Sequence, residues 1–481
     1  MNFRMIFKTI GRLLQGEALL LLLPMMVSLY YKEKIEYAFL ITSGLLFVTS
    51  LAMTLPKLEN KRIYAREGFV IVSLSWIILS IFGALPYLLS GAIASPIDAF
   101  FETVSGFSTT GATILTDIEA MPRSLLFWRS FTNWIGGMGI IVFVLAFLPQ
   151  KDMQSMHILR AEVPGPTVGK IVSKTAVTAR ILYIIYTVFT IAEIIALLLC
   201  DMPLFDSVTT AFATAGTGGF EIKNTNMAAY NNLGVEMVTM VFMALYGINF
   251  NLFYLILIKQ FKRAFKSEEL RAYLIIILVC FAIITVNIYP VVDSWGTALR
   301  QSIFQIVSVI TTTGFVTADY SAWPLLSQML IIMLMFVGAC SGSTGGGLKV
   351  GRMLILGKSI FRELRRAINP NRVKSIKLDG AVIDSHTVST NTTYLLIYIF
   401  VIFISVVLLS FDQFDFSTAL TAVTTSISNL GPSFSRVAYI KNFSDFSAFS
   451  KIILCADMLI GRLEIFPMMI IFMPATWRKS V

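Results

Sequence analysis

Long apolar runs separated by short polar segments dominate the hydropathy pattern of this 481-residue chain. The longer runs approach the roughly 20 residues that a helix needs to cross a membrane. They cover residues 13–31, 37–55, 68–90, 130–148, 181–200, 234–258, 272–292, 324–348, 393–410 and 452–474. The chain is 56% hydrophobic with a mean hydropathy of +0.78, and a soluble domain of this length could not bury so much apolar surface. The pattern predicts an all-α membrane protein with about ten transmembrane helices.

Lysine and arginine concentrate in short segments after every second run and give the chain a net charge of +10. Their placement between apolar runs argues against nucleic acid as a partner and follows the positive-inside rule. We therefore expect a multi-pass protein with both termini and the basic loops in the cytoplasm. The longest basic stretch, Lys349–Lys377, is a candidate site for anionic membrane lipids or for a cytosolic partner.

Four further segments are too apolar for solvated loops and too short to span a membrane. They run over residues 95–113, 203–220, 296–315 and 416–432. Each begins with a helix-like stretch and ends in a tract of glycine, serine and threonine. Such non-helical backbone is tolerated at membrane depth only where it is buried in protein or lines a cavity. We therefore expect four re-entrant pore loops.

The four tracts align on one glycine each, and a small residue stands six positions earlier. The aligned pairs are Ser105 and Gly111, Ala213 and Gly219, Ser308 and Gly314, and Thr425 and Gly431. Single tracts of this kind usually mark close helix packing, but four in register favour a repeat. The sequence predicts four tandem span–pore-helix–span units arranged pseudo-fourfold around one pore. The predicted divisions are a two-helix extension, 1–66, and units at 67–150, 151–265, 266–375 and 376–481.

A pore for cations would account for the repeat. Backbone carbonyl oxygens can replace the hydration shell of an ion, and glycine permits the backbone conformations that such a lining requires. Each pore helix also directs the negative end of its dipole toward the centre. The predicted K⁺ filter comprises Ser108, Thr109, Thr110, Gly111, Gly216, Thr217, Gly218, Gly219, Thr311, Thr312, Thr313, Gly314, Ser428, Asn429, Leu430 and Gly431. K⁺ would bind through backbone carbonyls, and we expect no organic cofactor.

Two features interrupt the later spans. Residues 338–349 are rich in glycine and serine, which predicts a loop inside the third unit, with a kinked packing helix as the alternative. We expect this to be the only unit with a broken span. Arg462 lies in the last span, where an arginine is costly and usually functional. The alternative is that Arg462 reaches the membrane surface or pairs with an acid such as Glu464.

These tracts resemble the superfamily of K⁺ transporters that includes TrkH, TrkG and KtrB. The segments Phe127–Gly139, Glu162–Pro166 and Asn249–Phe253 resemble family sequences as well, and the N-terminal helix pair favours the Trk type. The resemblance implies a K⁺ uptake protein of the bacterial inner membrane, a homodimer, and a cytosolic nucleotide-binding RCK (KTN) ring of the TrkA kind.

The resemblance also implies roles for the two interruptions. Arg462 would face the pore as a barrier to cations. The glycine-rich loop would act as a gate made of Gly338, Ala339, Cys340, Ser341, Gly342, Ser343, Thr344, Gly345, Gly346, Gly347 and Lys349.

Other functions remain open or are excluded. The fourth tract continues with Pro432, where the Trk type often has more glycine, and the second tract also departs from the family pattern. A Na⁺-permeable pore or a K⁺ symporter coupled to H⁺ or Na⁺ is the alternative within the same fold. Glycine at all four aligned positions favours K⁺. The sequence has no catalytic constellation, so we do not expect an enzyme.

Overall fold

The computed structural model describes residues 1–56, 65–139, 175–370, 375–432 and 442–477. Helices dominate this part of the chain, as the sequence predicts. The only strands within the described residues form a short antiparallel hairpin, Lys377–Leu378 with Ala381–Val382. The division between the first two units, and the segment Glu162–Pro166, lie outside the described residues.

The helices of the described residues are numbered here in chain order. Their bounds are α1 Phe3–Leu20, α2 Leu22–Tyr31, α3 Glu36–Thr54, α4 Ala65–Gly83, α5 Leu85–Leu89, α6 Pro96–Phe107, α7 Arg123–Gly137, α8 Thr175–Leu198, α9 Leu204–Gly216, α10 Leu233–Tyr246, α11 Phe250–Leu257, α12 Phe261–Phe265, α13 Glu268–Val292, α14 Trp295–Ile310, α15 Leu325–Val337, α16 Val350–Ile368, α17 Ser385–Leu409, α18 Phe416–Ser428, α19 Ala448–Arg462, α20 Phe466–Phe472 and α21 Pro474–Trp477. Short 3₁₀ turns occupy Asn226–Tyr230, Tyr320–Ala322 and Ser410–Asp412.

Six helical segments in the described part are long and apolar enough to cross a membrane. They are Phe3–Tyr31, Glu36–Thr54, Arg66–Leu89, Ala179–Leu198, Glu268–Val292 and Ser385–Asp412. The first begins at Phe3, ten residues before the predicted run, because α1 continues as an amphipathic helix whose Ile6, Ile10 and Leu14 are buried. The remaining predicted spans are shorter or bent helices, or continue beyond the described residues.

Within the described residues, three second spans are broken, so the expectation that only the third unit is interrupted is wrong. In the second unit, α10 and α11 meet at 90° across Gly247–Asn249. In the third, α15 ends at Val337 and α16 begins at Val350. In the fourth, Glu464 and Ile465 take left-handed φ angles of 58° and 55° between α19 and α20. As the contacts below show, the first two breaks supply hydrogen-bond partners to each other.

Four short helices, α6, α9, α14 and α18, each lead into one of the aligned tracts. They are apolar but carry polar caps: Ser95, Ser294 and Asp415 accept a hydrogen bond from a backbone N–H in the first turn of α6, α14 and α18. Each is shorter than the roughly 20 residues of a span. The four helices therefore carry the tracts into the interior of the protein without crossing it.

Candidate ion pathway

The four tracts share one backbone conformation. The aligned glycines all have positive φ: 77° at Gly111, 64° at Gly219, 80° at Gly314 and 86° at Gly431. The residue two positions earlier is left-handed in every tract, namely Thr109, Thr217, Thr312 and Asn429, with φ between 53° and 57°. Residues other than glycine rarely adopt backbone conformations with positive φ. Because this uncommon conformation recurs at eight equivalent positions, the four tracts have a common fold.

The tracts are also held to their helices in the same way. In each, the residue before the aligned glycine donates its N–H to a carbonyl oxygen five residues earlier, at 2.9 Å. The donor and acceptor pairs are Thr110 and Ser105, Gly218 and Ala213, Thr313 and Ser308, and Leu430 and Thr425. The acceptors are the small residues of the sequence alignment, and all four are fully buried. Their size leaves room for the tract to fold back over the end of its helix.

Contacts between tracts close a ring. A Cβ at Gly111 would overlap the carbonyl oxygen of Gly218, and one at Gly219 would overlap that of Thr313. The series continues from Gly314 to Leu430 and returns from Gly431 to Thr110, where the oxygen lies 2.5 Å from the Cβ position. Each aligned glycine therefore abuts the carbonyl of the residue before the glycine in the next tract. Only a residue without a side chain fits at these four positions.

Side-chain hydrogen bonds reinforce the ring. Asn429 donates to the hydroxyl of Thr110 at 3.0 Å and to the carbonyl of Met458 at 2.9 Å, which joins the fourth tract to the first. Ser108 and Thr110 share a 2.8 Å hydrogen bond, and Thr311 and Thr313 form its counterpart in the third tract. Fifteen of the sixteen residues of the predicted filter are buried, and Gly111 is partly exposed.

The glycine-rich segment is a loop, as the sequence predicts. Gly338, Gly342 and Gly347 have φ between 67° and 73°, and Lys349 has φ 65°. Ala339, Cys340, Thr344 and Lys349 are no more than 2% exposed, so the loop is enclosed by protein. The Lys349 ammonium donates to the carbonyl of Gly345 within the loop.

The break in the second unit provides partners for this loop. Cys340 donates its N–H to the carbonyl of Gly247, and Phe250 donates to the carbonyl of Gly342, both at 3.0 Å. The Thr344 hydroxyl donates to the carbonyl of Tyr246 at 3.3 Å. The bend between α10 and α11 thus exposes backbone groups that the loop satisfies, as buried backbone requires.

The loop lies directly against the tracts. Gly346 donates its N–H to the hydroxyl of Thr312 at 2.6 Å, and a Cβ on Gly346 would overlap the carbonyl of Ser428. A Cβ on Gly345 would lie 2.9 Å from the carbonyl oxygen of Thr311. The structure therefore places the predicted gate residues in contact with the third and fourth parts of the predicted filter.

Glu269, at the start of α13, holds both ends of the loop. Its Oε1 accepts hydrogen bonds from the backbone N–H of Ser341 at 2.7 Å and of Gly351 at 2.8 Å. The carboxylate is 9% exposed. The sequence does not distinguish this residue, because an acid in the first turn of a helix is ordinarily stabilised by the helix dipole and faces solvent.

Arg462 connects three units. Its guanidinium donates to the carbonyl oxygens of Thr344 at 2.7 Å, Gly136 at 2.6 Å and Gly137 at 2.5 Å. Glu464, the acid considered as its partner, forms an ion pair with Arg352. Arg462 thus joins the end of α19 to the loop of the third unit and to the end of α7 in the first.

A buried ion pair lies beside the first two tracts and was not predicted. Arg129 Nε is 2.5 Å from Glu102 Oε1, and the side chains are 2% and 0% exposed. Arg129 also donates to the carbonyl of Glu221 at 2.6 Å and stacks on Phe220. Glu102 accepts from the N–H of Ile114 at 3.0 Å. The pair therefore fixes the backbone just beyond Gly111 and Gly219.

Comparison with known proteins shows that the chain is similar to potassium transport proteins over its whole length. The family model described as TrkH, cation transport protein, matches residues 38–479. The Trk system potassium uptake protein TrkH of Salmonella typhimurium is 36% identical over 488 residues and covers 100% of both chains. The Trk system potassium uptake protein TrkG of Escherichia coli K12 is 33% identical over 484 residues and covers 99% of both. The crystal structure of the potassium transporter TrkH from Vibrio parahaemolyticus superimposes with a TM-score of 0.90 at 32% identity, covering 99% of this chain and 100% of that one.

Proposed function

The chain belongs to the TrkH family of cation transport proteins, and on that premise we propose that it takes up K⁺ across the bacterial inner membrane. The relatives are named as potassium uptake proteins over essentially their full length, which favours K⁺ as the cargo and transport over enzymatic activity. The closed ring of four glycine tracts is the observation that carries the proposal.

The selectivity filter is assigned to the sixteen residues predicted from the repeat. Four tracts with the same backbone angles and the same 2.9 Å hydrogen bond support a lining in which each unit contributes equivalent carbonyl oxygens. Neutral carbonyls coordinate a dehydrated cation without trapping it, which conduction requires. The proposal extends to a pseudo-fourfold arrangement of the four units at 67–150, 151–265, 266–375 and 376–481, after the extension 1–66.

The loop 338–349 is proposed as the gate and Arg462 as its barrier. Support comes from the contacts of the loop with Thr312 and from the hydrogen bond that Arg462 donates to Thr344. A positive charge next to the pathway opposes cation passage, and displacement of the loop would break the hydrogen bond that Arg462 donates to it.

Topology and partners complete the proposal. The apolar runs support about ten transmembrane helices, and the distribution of basic residues supports a cytoplasmic location for both termini. Membership of the family supports a homodimer and a cytosolic RCK (KTN) ring of the TrkA kind. In this arrangement the ring would act on the loop from the cytoplasmic side.

Uptake of ⁸⁶Rb⁺ into proteoliposomes, with rising external Na⁺, tests the function. We expect uptake that Na⁺ does not inhibit and that a Ser substitution at Gly111 makes sensitive to Na⁺. Equal permeation of Na⁺ would contradict the K⁺ assignment and favour the Na⁺-permeable alternative. Uptake that follows an imposed H⁺ or Na⁺ gradient would instead indicate a coupled symporter.

A further inference from the structure

The helix α16, which follows the glycine-rich loop, has two distinct faces. Its second half exposes a stripe of large apolar side chains, Ile360, Phe361, Leu364 and Ile368, which are 58–77% exposed. Their spacing puts them on one side of the helix. Arg362, Arg365 and Arg366 lie on the adjoining side, with one acid, Glu363, among them.

The position of α16 relative to the spans is fixed by its first half. Gly351 donates to Glu269, and Lys358 forms an ion pair with Glu268. Gly351 and Lys358 are seven residues apart, which corresponds to roughly 10 Å along α16. Their partners, Glu269 and Glu268, are neighbours at the start of α13. The helix α16 therefore passes across the end of α13 and does not run alongside it.

A small apolar cluster brings α16 to the first turn of α17 as well. The fully buried Ile355 packs with Ile376 and with Val388, which lies in the first turn of α17. The hairpin residue Asp379 accepts a hydrogen bond from the N–H of Glu268 at 2.6 Å. Glu268–Val292 and Ser385–Asp412 are long and apolar enough to cross a membrane, and we take their first residues as the level of a membrane surface.

We propose that the second half of α16 lies in this surface as an amphipathic helix that binds anionic phospholipid. The apolar stripe enters the boundary of the acyl chains, and the three arginines contact phosphate-bearing headgroups. An exposed apolar face bordered by Arg, at the level where spans begin, is the arrangement of interfacial helices. Glu363 pairs with Arg362 at 2.8 Å, but exposed pairs of this kind are weak, and headgroups can compete for the arginine.

This site is independent of the ion assigned to the pathway. It gives the loop a lipid-dependent anchor, because α16 begins at Val350, directly after the gate residues. Charge complementarity decides the occupant: a second copy of this chain would present the same arginines, whereas an anionic membrane surface attracts each of them.

A fluorescent probe on the apolar stripe tests the proposal. The full-length protein carries Ile360→Cys labelled with an environment-sensitive fluorophore, with Cys200→Ser to remove the half-buried cysteine. A second probe at Ser359→Cys, next to the first but on the basic side, serves as the matched control. Both are reconstituted in phosphatidylcholine vesicles with and without phosphatidylglycerol, and with acyl chains brominated near the headgroup.

We expect brominated lipid to quench the probe at position 360 more than the probe at 359, and phosphatidylglycerol to increase this quenching. Replacing Arg362, Arg365 and Arg366 with Gln should abolish the phosphatidylglycerol-dependent part. Replacing Lys32, Lys34 and Lys223 with Gln removes the same number of positive charges and should leave the phosphatidylglycerol-dependent quenching unchanged.

Emission typical of water at position 360 in both lipids would overturn the proposal. So would apolar emission without quenching by brominated lipid, which would show that protein covers the face, whether a second copy or another partner.

Discussion

Arg462 Nη1 lies 2.7 Å from the carbonyl oxygen of Thr344, so the last unit holds the glycine-rich loop of the third directly. The same guanidinium donates to Gly136 and Gly137 of the first unit. One side chain therefore connects three of the four predicted units, next to the contacts of the loop with the predicted filter. In the proposed mechanism, its charge opposes cation passage and its hydrogen bond to Thr344 holds the loop in place.

Replacing Arg462 with Ala should raise the rate of ⁸⁶Rb⁺ uptake. A hydrogen bond from a charged donor contributes about 1.5–3 kcal/mol, so losing the bond to Thr344 should favour the displaced loop by roughly tenfold or more. Arg462→Lys keeps the charge but not the fork of donors, and should give an intermediate rate. Uptake in R462A at or below the unsubstituted level, in a protein that elutes normally, would remove Arg462 from the barrier.

Replacing Gly111 with Ser should weaken the preference for K⁺ over Na⁺. The added Cβ would overlap the carbonyl of Gly218, so the first tract must move relative to the second. Gly91 offers a matched control, because its φ of 72° is similar to the 77° of Gly111, but nothing lies within 4 Å of its Cβ position. Both variants carry the backbone strain of about 1–2 kcal/mol, and only G111S should change the Rb⁺/Na⁺ flux ratio. Equal ratios in the two variants would contradict the filter assignment.

Removing the carboxylate of Glu269 should release the loop. In Glu269→Ala the N–H groups of Ser341 and Gly351 lose their acceptor, at a cost of about 1–3 kcal/mol for each buried group. We expect faster Rb⁺ leak in E269A and a smaller increase in Glu269→Gln, which retains a neutral acceptor. Glu36→Ala, which removes a first-turn acid from another helix, controls for the loss of one charge. Leak that is the same in E269A and E36A would show that the two hydrogen bonds do not hold the gate.

The sequence predicted those features whose local chemistry is unusual. Four aligned glycines stood out because glycine is conspicuous in an apolar segment, and the loop 338–349 stood out by composition. The break at Gly247–Asn249 is not evident from the sequence, because a single glycine in a long apolar run does not change the hydropathy expected of a continuous span. Its cause lies elsewhere in the chain, in the backbone groups of the loop that pair with it. Glu269 and Glu102 were missed for the same reason: their partners are distant in sequence, and only the fold brings them together.

The buried pair of Glu102 and Arg129 gives the last prediction. Glu102→Ala leaves a buried guanidinium without its counter-charge, which costs about 3–5 kcal/mol of folding stability. The exposed pair of Glu119 and Lys223, 4.0 Å apart with side chains 48% and 35% exposed, is the control, and Glu119→Ala should cost at most about 1 kcal/mol. Thermal unfolding in detergent separates the two.

A second readout distinguishes a structural from a functional role of that pair. Arg129 binds the carbonyl of Glu221, and Glu102 binds the N–H of Ile114, so the pair connects the backbone beyond the first tract to that beyond the second. Arg129→Lys keeps the charge but loses the planar fork of donors. It should therefore lower the Rb⁺/Na⁺ flux ratio while changing the temperature of thermal unfolding little. If R129K unfolds earlier while its selectivity is unchanged, the pair supports the fold alone and the filter is positioned by the ring contacts.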